Sequence, residues 1–200
     1  MRCLSCAFIV ATAALLACFS FVFAEEASTV FHEDFSDPNL ESGLVLQQQN
    51  KWQVTDGHLL ARDNADGMAL AKIENLAVPA ATVSLQFKRV LVAGREQHVG
   101  IILEDDKGRS LRFYSRGPRI RYLDKIGKKT VGQDILGRLK TPLPVGEDSS
   151  WTRLNVAWRD NVIQVNVNGN LVGTLQRSAA NLTGVSLYAY KLDCAFDDLE

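Results

Sequence analysis

The amino-acid sequence predicts an all-β fold, an antiparallel two-sheet sandwich or jelly roll of about a dozen short strands. Three observations indicate this class. Apolar and polar residues alternate in many short segments, which Gly, Asn, Asp or Pro separates from one another. No segment of useful length has the periodicity of a helix. Residues 151–175 contain a meander whose turns are recognisable from residue type alone.

The meander consists of three predicted antiparallel strands joined by two tight turns. Asn168 and Gly169 form the sharper turn, because both central positions of such a loop need a positive φ, which Gly and Asn tolerate. Asp160 and Asn161 mark the earlier turn. Two-residue loops would set these cross-strand pairs on one face: Trp158 with Ile163, Val156 with Val165, Leu154 with Val167, and Val165 with Val172. The opposite face would carry a mostly polar set, namely Arg153, Asn155, Ala157, Gln164 and Asn166.

The same alternation places the remaining strands. In chain order they are expected at residues 29–35, 51–55, 58–61, 68–73, 81–90, 97–104, 109–115, 119–123, 184–190 and 194–199. Residues 40–50 are weakly patterned, and residues 124–148 are predicted to be a long connection with one short helix at 135–139. The large side chains expected in the core are Trp52, Trp151, Trp158, Phe35, Phe87, Phe113 and Phe196.

Residues 1–24 are predicted to be a secretory signal peptide, which leaves residues 25–200 as a single domain. Arg2 precedes an apolar stretch, and the stretch ends in a small residue, Ala24, before two glutamates. Two alternatives stay open: retention of the apolar stretch as a membrane anchor, and lipidation at Cys18. Cleavage implies an exported protein in the periplasm, at the cell surface or outside the cell, with no transmembrane segment left.

Cleavage would also remove three of the four cysteines and leave Cys194. A domain with one cysteine has no internal disulfide, so its hydrophobic core must stabilise it. Cys194 precedes Ala and Phe, and we expect it to be a small buried side chain.

Positive charge is concentrated in one part of the chain. The full sequence has 22 basic and 23 acidic residues, whereas residues 107–140 hold eleven basic and two acidic ones. A hairpin predicted within this region would place Arg112 beside Tyr114 on one face, and Arg119 beside Arg121. Guanidinium groups bind carboxylate or sulfate and tyrosine rings stack on sugars, so we predict an acidic polysaccharide as ligand. Nucleic acid would match the charge, but export argues against it. An edge hairpin whose charges block aggregation is the alternative.

Five short segments occur in a characteristic order: FHEDF at 31–35, WQVTDGHL at 52–59, the meander at 151–175, GVSLY at 184–188 and FDDL at 196–199. In this order they resemble the secreted concanavalin A-like jelly rolls, a superfamily that includes laminin-G-like and glucanase-like domains. The resemblance implies that the first and last strands lie side by side in one sheet. Four carboxylates, which would suit a structural calcium ion, would then converge: Glu33, Asp34, Asp197 and Asp198. Pairing of these carboxylates with Lys or Arg is the alternative.

The hairpin pattern W-x-V-x-D-G-x-L at 52–59 is also similar to the bacterial 3-keto-disaccharide hydrolase domains. Those domains usually carry a Gly-Gly-Asn-Ser-Gly-like strand, whereas residues 98–104 read HVGIILE. The resemblance implies a common fold, and it keeps a hydrolase acting on glycosidic bonds as an alternative function.

The catalytic motifs expected of hydrolases are missing from the sequence. The Glu-x-Asp-x-x-Glu strand of retaining glucanases is absent, and its nearest match, at 104–106, reads as a hairpin tip. His32, His58 and His98 are 26 and 40 residues apart, which is not a metal-ligand spacing. No Gly-x-Ser-x-Gly elbow occurs. Apart from calcium, no cofactor is expected.

Together these observations predict an exported carbohydrate- or surface-binding module without a catalytic motif of its own. The first predicted ligand site comprises the hairpin residues Arg112, Tyr114, Arg119 and Arg121. The second is the polar sheet face of Arg153, Asn155, Gln164 and Asn166. The alternatives are a hydrolase or lyase of the 3-keto-disaccharide hydrolase type and a structural or adhesive domain.

Overall fold

The structure is a computed structural model that describes residues 31–37, 39–40, 43–62, 68–92, 97–146, 148–159 and 161–200. Within these ranges the chain forms fourteen strands and one 3-10 helix, Gln49–Lys51. The strands are β1 Leu44–Gln47, β2 Trp52–Thr55, β3 His58–Arg62, β4 Met68–Ile73, β5 Ala81–Val92, β6 His98–Asp105, β7 Arg109–Arg116, β8 Arg119–Ile126, β9 Lys129–Arg138, β10 Thr152–Arg159, β11 Val162–Val167, β12 Asn170–Gln176, β13 Leu182–Tyr190 and β14 Leu192–Asp197. None of these residues belongs to a helix long and apolar enough to cross a membrane.

The strands form two seven-stranded antiparallel sheets. Sheet I has the order β1-β4-β13-β6-β7-β8-β9, and sheet II has the order β12-β11-β10-β5-β14-β3-β2. Alternate side chains of each strand point inward, and the inward sets of the two sheets pack into one core. This arrangement confirms the predicted all-β sandwich.

The core between the sheets contains most of the aromatic residues that the sequence predicts for it. The buried ones are Trp52, Trp158, Phe35, Phe87, Phe113 and Phe196. Cys194 is also buried and is a free thiol, as expected. The prediction for Trp151 is wrong, because this residue is partly exposed and lies outside the core. It directly precedes Thr152, whose side chain points inward, so Trp151 itself faces outward.

The register of the meander is confirmed between its first two strands. Strands β10 and β11 pair Trp158 with Ile163, Val156 with Val165 and Leu154 with Val167. Between β11 and β12, Val165 lies opposite Gly173 instead of Val172, because a β-bulge after Val165 shifts the register. Asn168 and Gly169 have φ values of 50° and 78°, as their turn requires. Asp160, in the other predicted turn, lies outside the described residues.

The largest error of the sequence prediction concerns residues 124–148, where the structure has no helix in its described part. Strand β8 continues to Ile126, the chain turns, and β9 follows as a ten-residue strand. Since β9 is the outer strand of sheet I, most of its side chains are exposed. The apolar alternation that identifies a half-buried strand is therefore weak in this segment.

The two ends of the described chain meet. Glu33 and Leu199 exchange two backbone hydrogen bonds of 2.9 and 3.0 Å. The predicted contact between first and last segments is thus present as a single bridge. The predicted strand lengths are wrong here, since β14 ends at Asp197 and Glu33 forms an isolated bridge; residues 29 and 30 lie outside the described residues.

One long side of the sandwich is closed by contact between β9 of sheet I and β12 of sheet II. Two glycines make this contact possible. A Cβ atom on Gly137 would overlap the carbonyl oxygen of Val172, and one on Gly173 would lie 2.7 Å from the carbonyl oxygen of Leu136. The backbones of the two outer strands therefore touch directly.

Candidate functional site

The predicted hairpin residues lie on the outward surface of sheet I. Across four neighbouring strands, the register aligns Tyr188 with Gly100, Gly100 with Tyr114, and Tyr114 with Arg121. Since Leu187, Ile101 and Phe113 belong to the core, alternation directs this row away from it. We call the outward surface of β13, β6, β7 and β8 that carries Tyr188, Tyr190, Tyr114, Arg112 and Arg121 the Tyr–Arg face.

Aromatic rings are packed closely on the Tyr–Arg face. The His98 ring lies 4.6 Å from the Tyr114 ring and 5.5 Å from the Tyr190 ring, measured between centroids. The Tyr114 and Tyr188 rings meet edge to face at 6.5 Å. They approach across Gly100, where a Cβ atom would overlap the carbonyl oxygen of Phe113. This position therefore requires glycine, and it leaves a gap in the row of side chains.

Tyr188 is fully buried although it points away from the core. The guanidinium carbon of Arg112 lies 4.7 Å from the centre of the Tyr188 ring, which is a cation–π contact. Burial raises the pKa of the Tyr188 phenol well above its usual value. The Tyr188 hydroxyl and Nε of Arg121 are buried and have no hydrogen-bond partner in the described part of the chain. A buried polar atom left without a partner costs about 1–3 kcal/mol, so these two groups lower the stability of the described structure.

Six arginines of the described chain fall into two groups. In the first, carboxylates neutralise the charge: Arg109 binds Asp124 at 2.6 Å, Arg153 binds Asp198 at 3.3 Å, and Arg177 binds Asp105. In the second, Arg112, Arg119 and Arg121 form no ion pair with any described residue. These three project from the same side of β7 and β8, with Arg119 exposed at the rim of the Tyr–Arg face. Positive charge without a protein counter-ion therefore gathers on this face.

The hairpin β7–β8 is not at an edge of its sheet. Strand β6 pairs with β7, and β9 pairs with β8. Blocking of edge-to-edge aggregation, the alternative role for the charges, is consequently wrong for this hairpin.

The second predicted set lies together on the outward surface of sheet II. Asn155 is paired with Asn166 and Ala157 with Gln164 on neighbouring strands. The charge of Arg153 is already matched by Asp198, and its backbone N–H donates to Oδ1 of Asn168 at 2.8 Å. Oδ1 of Asn155 is buried without a hydrogen-bond partner among the described residues. This set of residues is polar, but its one charge, on Arg153, is already compensated.

The four carboxylates considered for calcium bind separate partners. Glu33 accepts a hydrogen bond from the Phe35 backbone, and Asp34 accepts one from the Ser36 backbone, both at 2.9 Å. The hydrogen bonds from Ser36 lower the pKa of Asp34. Asp198 accepts hydrogen bonds from Gln86 and Arg153, and Asp197 lies beside His58. The described residues contain no group of three His, Cys, Asp or Glu side chains arranged for a metal ion, and calcium stays a prediction.

Sequence reasoning missed the part of the site that comes from distant segments. His98, Gly100, Tyr188 and Tyr190 join the hairpin residues because β13 and β6 pair next to β7. The only available signal was in β13, where Ser186, Tyr188 and Tyr190 alternate with apolar residues. Alternation shows that these side chains share a face, but it does not show which strands are neighbours.

Comparison with solved structures shows which known proteins share this fold. No family model matches the sequence, and no curated protein is significantly similar to it. Among solved structures, the carbohydrate-binding module CBM66 from Bacillus subtilis matches with a TM-score of 0.60 and 14% identity, over 78% of this chain and 93% of that one. A laminarinase from a Flavobacterium species matches with a TM-score of 0.65 and 9% identity, over 86% and 98% of the two chains. A β-glucanase from Bacillus licheniformis matches with a TM-score of 0.64 and 9% identity, over 84% and 95%. The chain therefore has the concanavalin A-like jelly-roll fold.

Proposed function

We propose that this domain binds carbohydrate at the Tyr–Arg face and that the bound sugar carries carboxylate or sulfate groups. One observation supports this most strongly. Arg112, Arg119 and Arg121 share a face with tyrosine rings and have no carboxylate partner in the described residues. Like charges placed on neighbouring strands repel, so their accumulation calls for an anionic ligand.

The chemistry of the face fits such a ligand. A guanidinium group holds an oxyanion with two parallel N–H···O bonds, and a tyrosine ring packs against the C–H face of a sugar. Neighbouring strands are about 4.8 Å apart. Tyr114 and Arg121, which are directly paired, are thus close enough to contact the ring and the acidic group of one sugar unit.

The structural comparisons support a glycan partner in general terms. One similar structure is, by its name, a carbohydrate-binding module, and others are named as laminarinase and β-glucanase. A polysaccharide ligand also accords with the predicted export, and we propose that the protein acts in the periplasm, at the cell surface or outside the cell.

Hydrolysis of a glycosidic bond is the second candidate function, because glucanases share the fold. Such hydrolysis ordinarily uses a pair of carboxyl groups flanking the bond. On the described strands β6, β7, β8 and β13, the outward carboxylate is Glu104, and Nζ of Lys72 binds it at 2.9 Å. The hydrogen bond to Glu104 raises the pKa of Lys72. These contacts favour binding over cleavage at this face.

Isothermal titration with defined oligosaccharides tests the proposal. The probes are a hexamer of galacturonic acid, a sulfated hexasaccharide and a neutral glucose hexamer. We expect the two anionic probes to bind and the affinity to fall as salt is added. A charge-assisted hydrogen bond contributes about 1.5–3 kcal/mol, so Arg112→Ala or Arg121→Ala should each weaken binding about 10- to 140-fold.

Two further arginine-to-alanine variants show which surface binds the oligosaccharide. Arg159→Ala removes an exposed arginine from the end of β10 in sheet II and should leave binding unchanged. Arg153→Ala tests the polar sheet face and should also have no effect. If binding survives the double change of Arg112 and Arg121 but is lost with Arg153→Ala, the Tyr–Arg face is the wrong site. Release of shorter sugars during incubation would establish the hydrolase instead.

A further inference from the structure

Trp151 differs from the two other tryptophans of the chain. Trp52 and Trp158 are buried, and their indole N–H groups donate to the carbonyl oxygens of Gln47 at 3.0 Å and Ala180 at 3.3 Å. Trp151 is partly exposed, and its N–H has no hydrogen-bond partner among the described residues. A large apolar ring with an unused donor on the outside of a sandwich is typical of a recognition surface.

The Trp151 side chain lies across the outward surface of sheet II. Thr152 is paired with Phe87, so Trp151 adjoins Lys88 on β5. The indole ring nevertheless meets the ring of His58, on β3, at a centroid distance of 4.8 Å and an angle of 62°. Strands β5 and β14 separate the two residues in the sheet order, so the ring extends over both strands. The outward-facing indole can therefore serve as a platform for a ligand.

Polar groups surround this platform. Nδ1 of His58 lies 3.4 Å from Oδ2 of Asp197, and the side chains are 33% and 22% exposed. Nζ of Lys88 lies 5.2 Å from the centre of the indole. Thr55, paired with His58 across the β2–β3 hairpin, has a buried hydroxyl without a hydrogen-bond partner in the described chain. An ammonium, an imidazole and a carboxylate are thus within reach of a ligand stacked on the ring.

The charges of this surface balance, in contrast to those of the Tyr–Arg face. Lys88, beside the indole, and Asp197, beside His58, carry opposite charges, and the nearby Arg153 is paired with Asp198 at 3.3 Å. A balanced surface gains nothing from an anionic group on the ligand. A sugar ring has an apolar C–H face and hydroxyl groups along its edge. Its face can stack on the indole while its hydroxyls form hydrogen bonds with the polar groups nearby.

We propose that Trp151, His58, Asp197 and Lys88 form a second carbohydrate site, on the sheet opposite the Tyr–Arg face, and that it takes an uncharged sugar. The indole stacks on the sugar ring. Its free N–H, the ammonium of Lys88 and the imidazole of His58 bind the hydroxyls. The domain then holds two glycan chains on opposite faces, and it gains avidity wherever charged and neutral polysaccharides occur together.

Tryptophan fluorescence tests the second site directly. Because Trp52 and Trp158 are buried, a ligand that covers a tryptophan at the surface must act on Trp151. The probes are neutral hexamers of β-1,3-glucose, β-1,4-glucose and β-1,4-xylose. We expect at least one of them to change the emission in a saturable manner and to protect the wild-type protein from quenching by iodide.

Variants then distinguish this site from the first one. Trp151→Ala should weaken neutral-sugar binding at least tenfold by titration calorimetry, and His58→Ala about two- to tenfold. Arg112→Ala should leave neutral-sugar binding unchanged while it weakens the anionic probes, so either proposal can fail alone. No saturable change with any of the three hexamers would overturn the second site, as would neutral-sugar affinity unaltered by both Trp151→Ala and His58→Ala.

Discussion

Replacement of Trp158 by alanine tests the packing on which the fold depends. The indole is 1% exposed, and the guanidinium carbon of Arg177 lies 4.0 Å above its ring. Truncation of a buried tryptophan costs about 3–5 kcal/mol through lost burial and the cavity left behind. Loss of a desolvated cation–π contact adds about 1–2 kcal/mol. The hydrogen bond to Ala180 adds little, because that residue is only half-buried and water replaces the donor.

The expected loss of stability is therefore about 4–7 kcal/mol. Domains of this kind have a total stability of about 5–15 kcal/mol, so the Trp158→Ala variant should be close to unfolding at room temperature. Urea denaturation followed by far-ultraviolet circular dichroism measures the change without relying on the missing fluorophore. Trp158→Phe keeps a ring beneath Arg177 and should lose only about 1–2 kcal/mol. A loss below about 2 kcal/mol for Trp158→Ala, with an unchanged urea slope, would refute this account of the core.

Three further predictions concern single contacts. Gly100→Ala should lower the free energy of unfolding in urea by about 1–3 kcal/mol, because the new methyl group overlaps the Phe113 carbonyl. Gly132→Ala is the control and should change stability little, because the nearest atom to its Cβ is 3.5 Å away. Burial raises the pKa of Tyr188, so the unfolded chain releases the phenol proton at a lower pH than the folded chain. Stability should therefore fall as the pH rises above about 10, the ordinary pKa of tyrosine. The Tyr188→Phe variant should lose that part of the pH dependence, and an identical profile would contradict the assignment. Asp105→Asn should lower the free energy of unfolding by about 3–5 kcal/mol in thermal and urea denaturation, because it leaves the guanidinium of Arg177 buried without its carboxylate. A change close to zero would show instead that water reaches the ion pair.

The fold class follows from the sequence because alternation is a local property. Most strands with one buried face show this alternation in the sequence, as β4 does with Ala69, Ala71 and Ile73 pointing inward. The short strand β1 is an exception, because residues 40–50 are weakly patterned. Strand β9 escaped prediction because it is exposed along most of its length. Val165 was predicted to lie opposite Val172 but lies opposite Gly173, because a bulge shifts the register between β11 and β12. The extra residue of a bulge has no reliable signature in the sequence.

The candidate site was predictable only within one hairpin. Arg112, Tyr114 and Arg121 belong to adjoining strands, so their shared face follows from residue spacing. Tyr188 joins them from a segment more than sixty positions away in the sequence, through the pairing of β13 with β6. Trp151 was assigned to the core because large aromatic residues are usually buried, and its outward position depends on the register of Thr152 with Phe87.

The paired glycines where β9 meets β12 have a consequence for solubility. Outer strands present unpaired backbone N–H and C=O groups, which other molecules can use to extend a sheet. Here Gly137 and Gly173 bring the two outermost strands of that side so close that each shields the other, next to exposed Val131, Ile135 and Leu171. A bulky side chain at either glycine would push β9 and β12 apart and expose their unpaired backbone groups. The protein would then self-associate while its hydrophobic core was still folded.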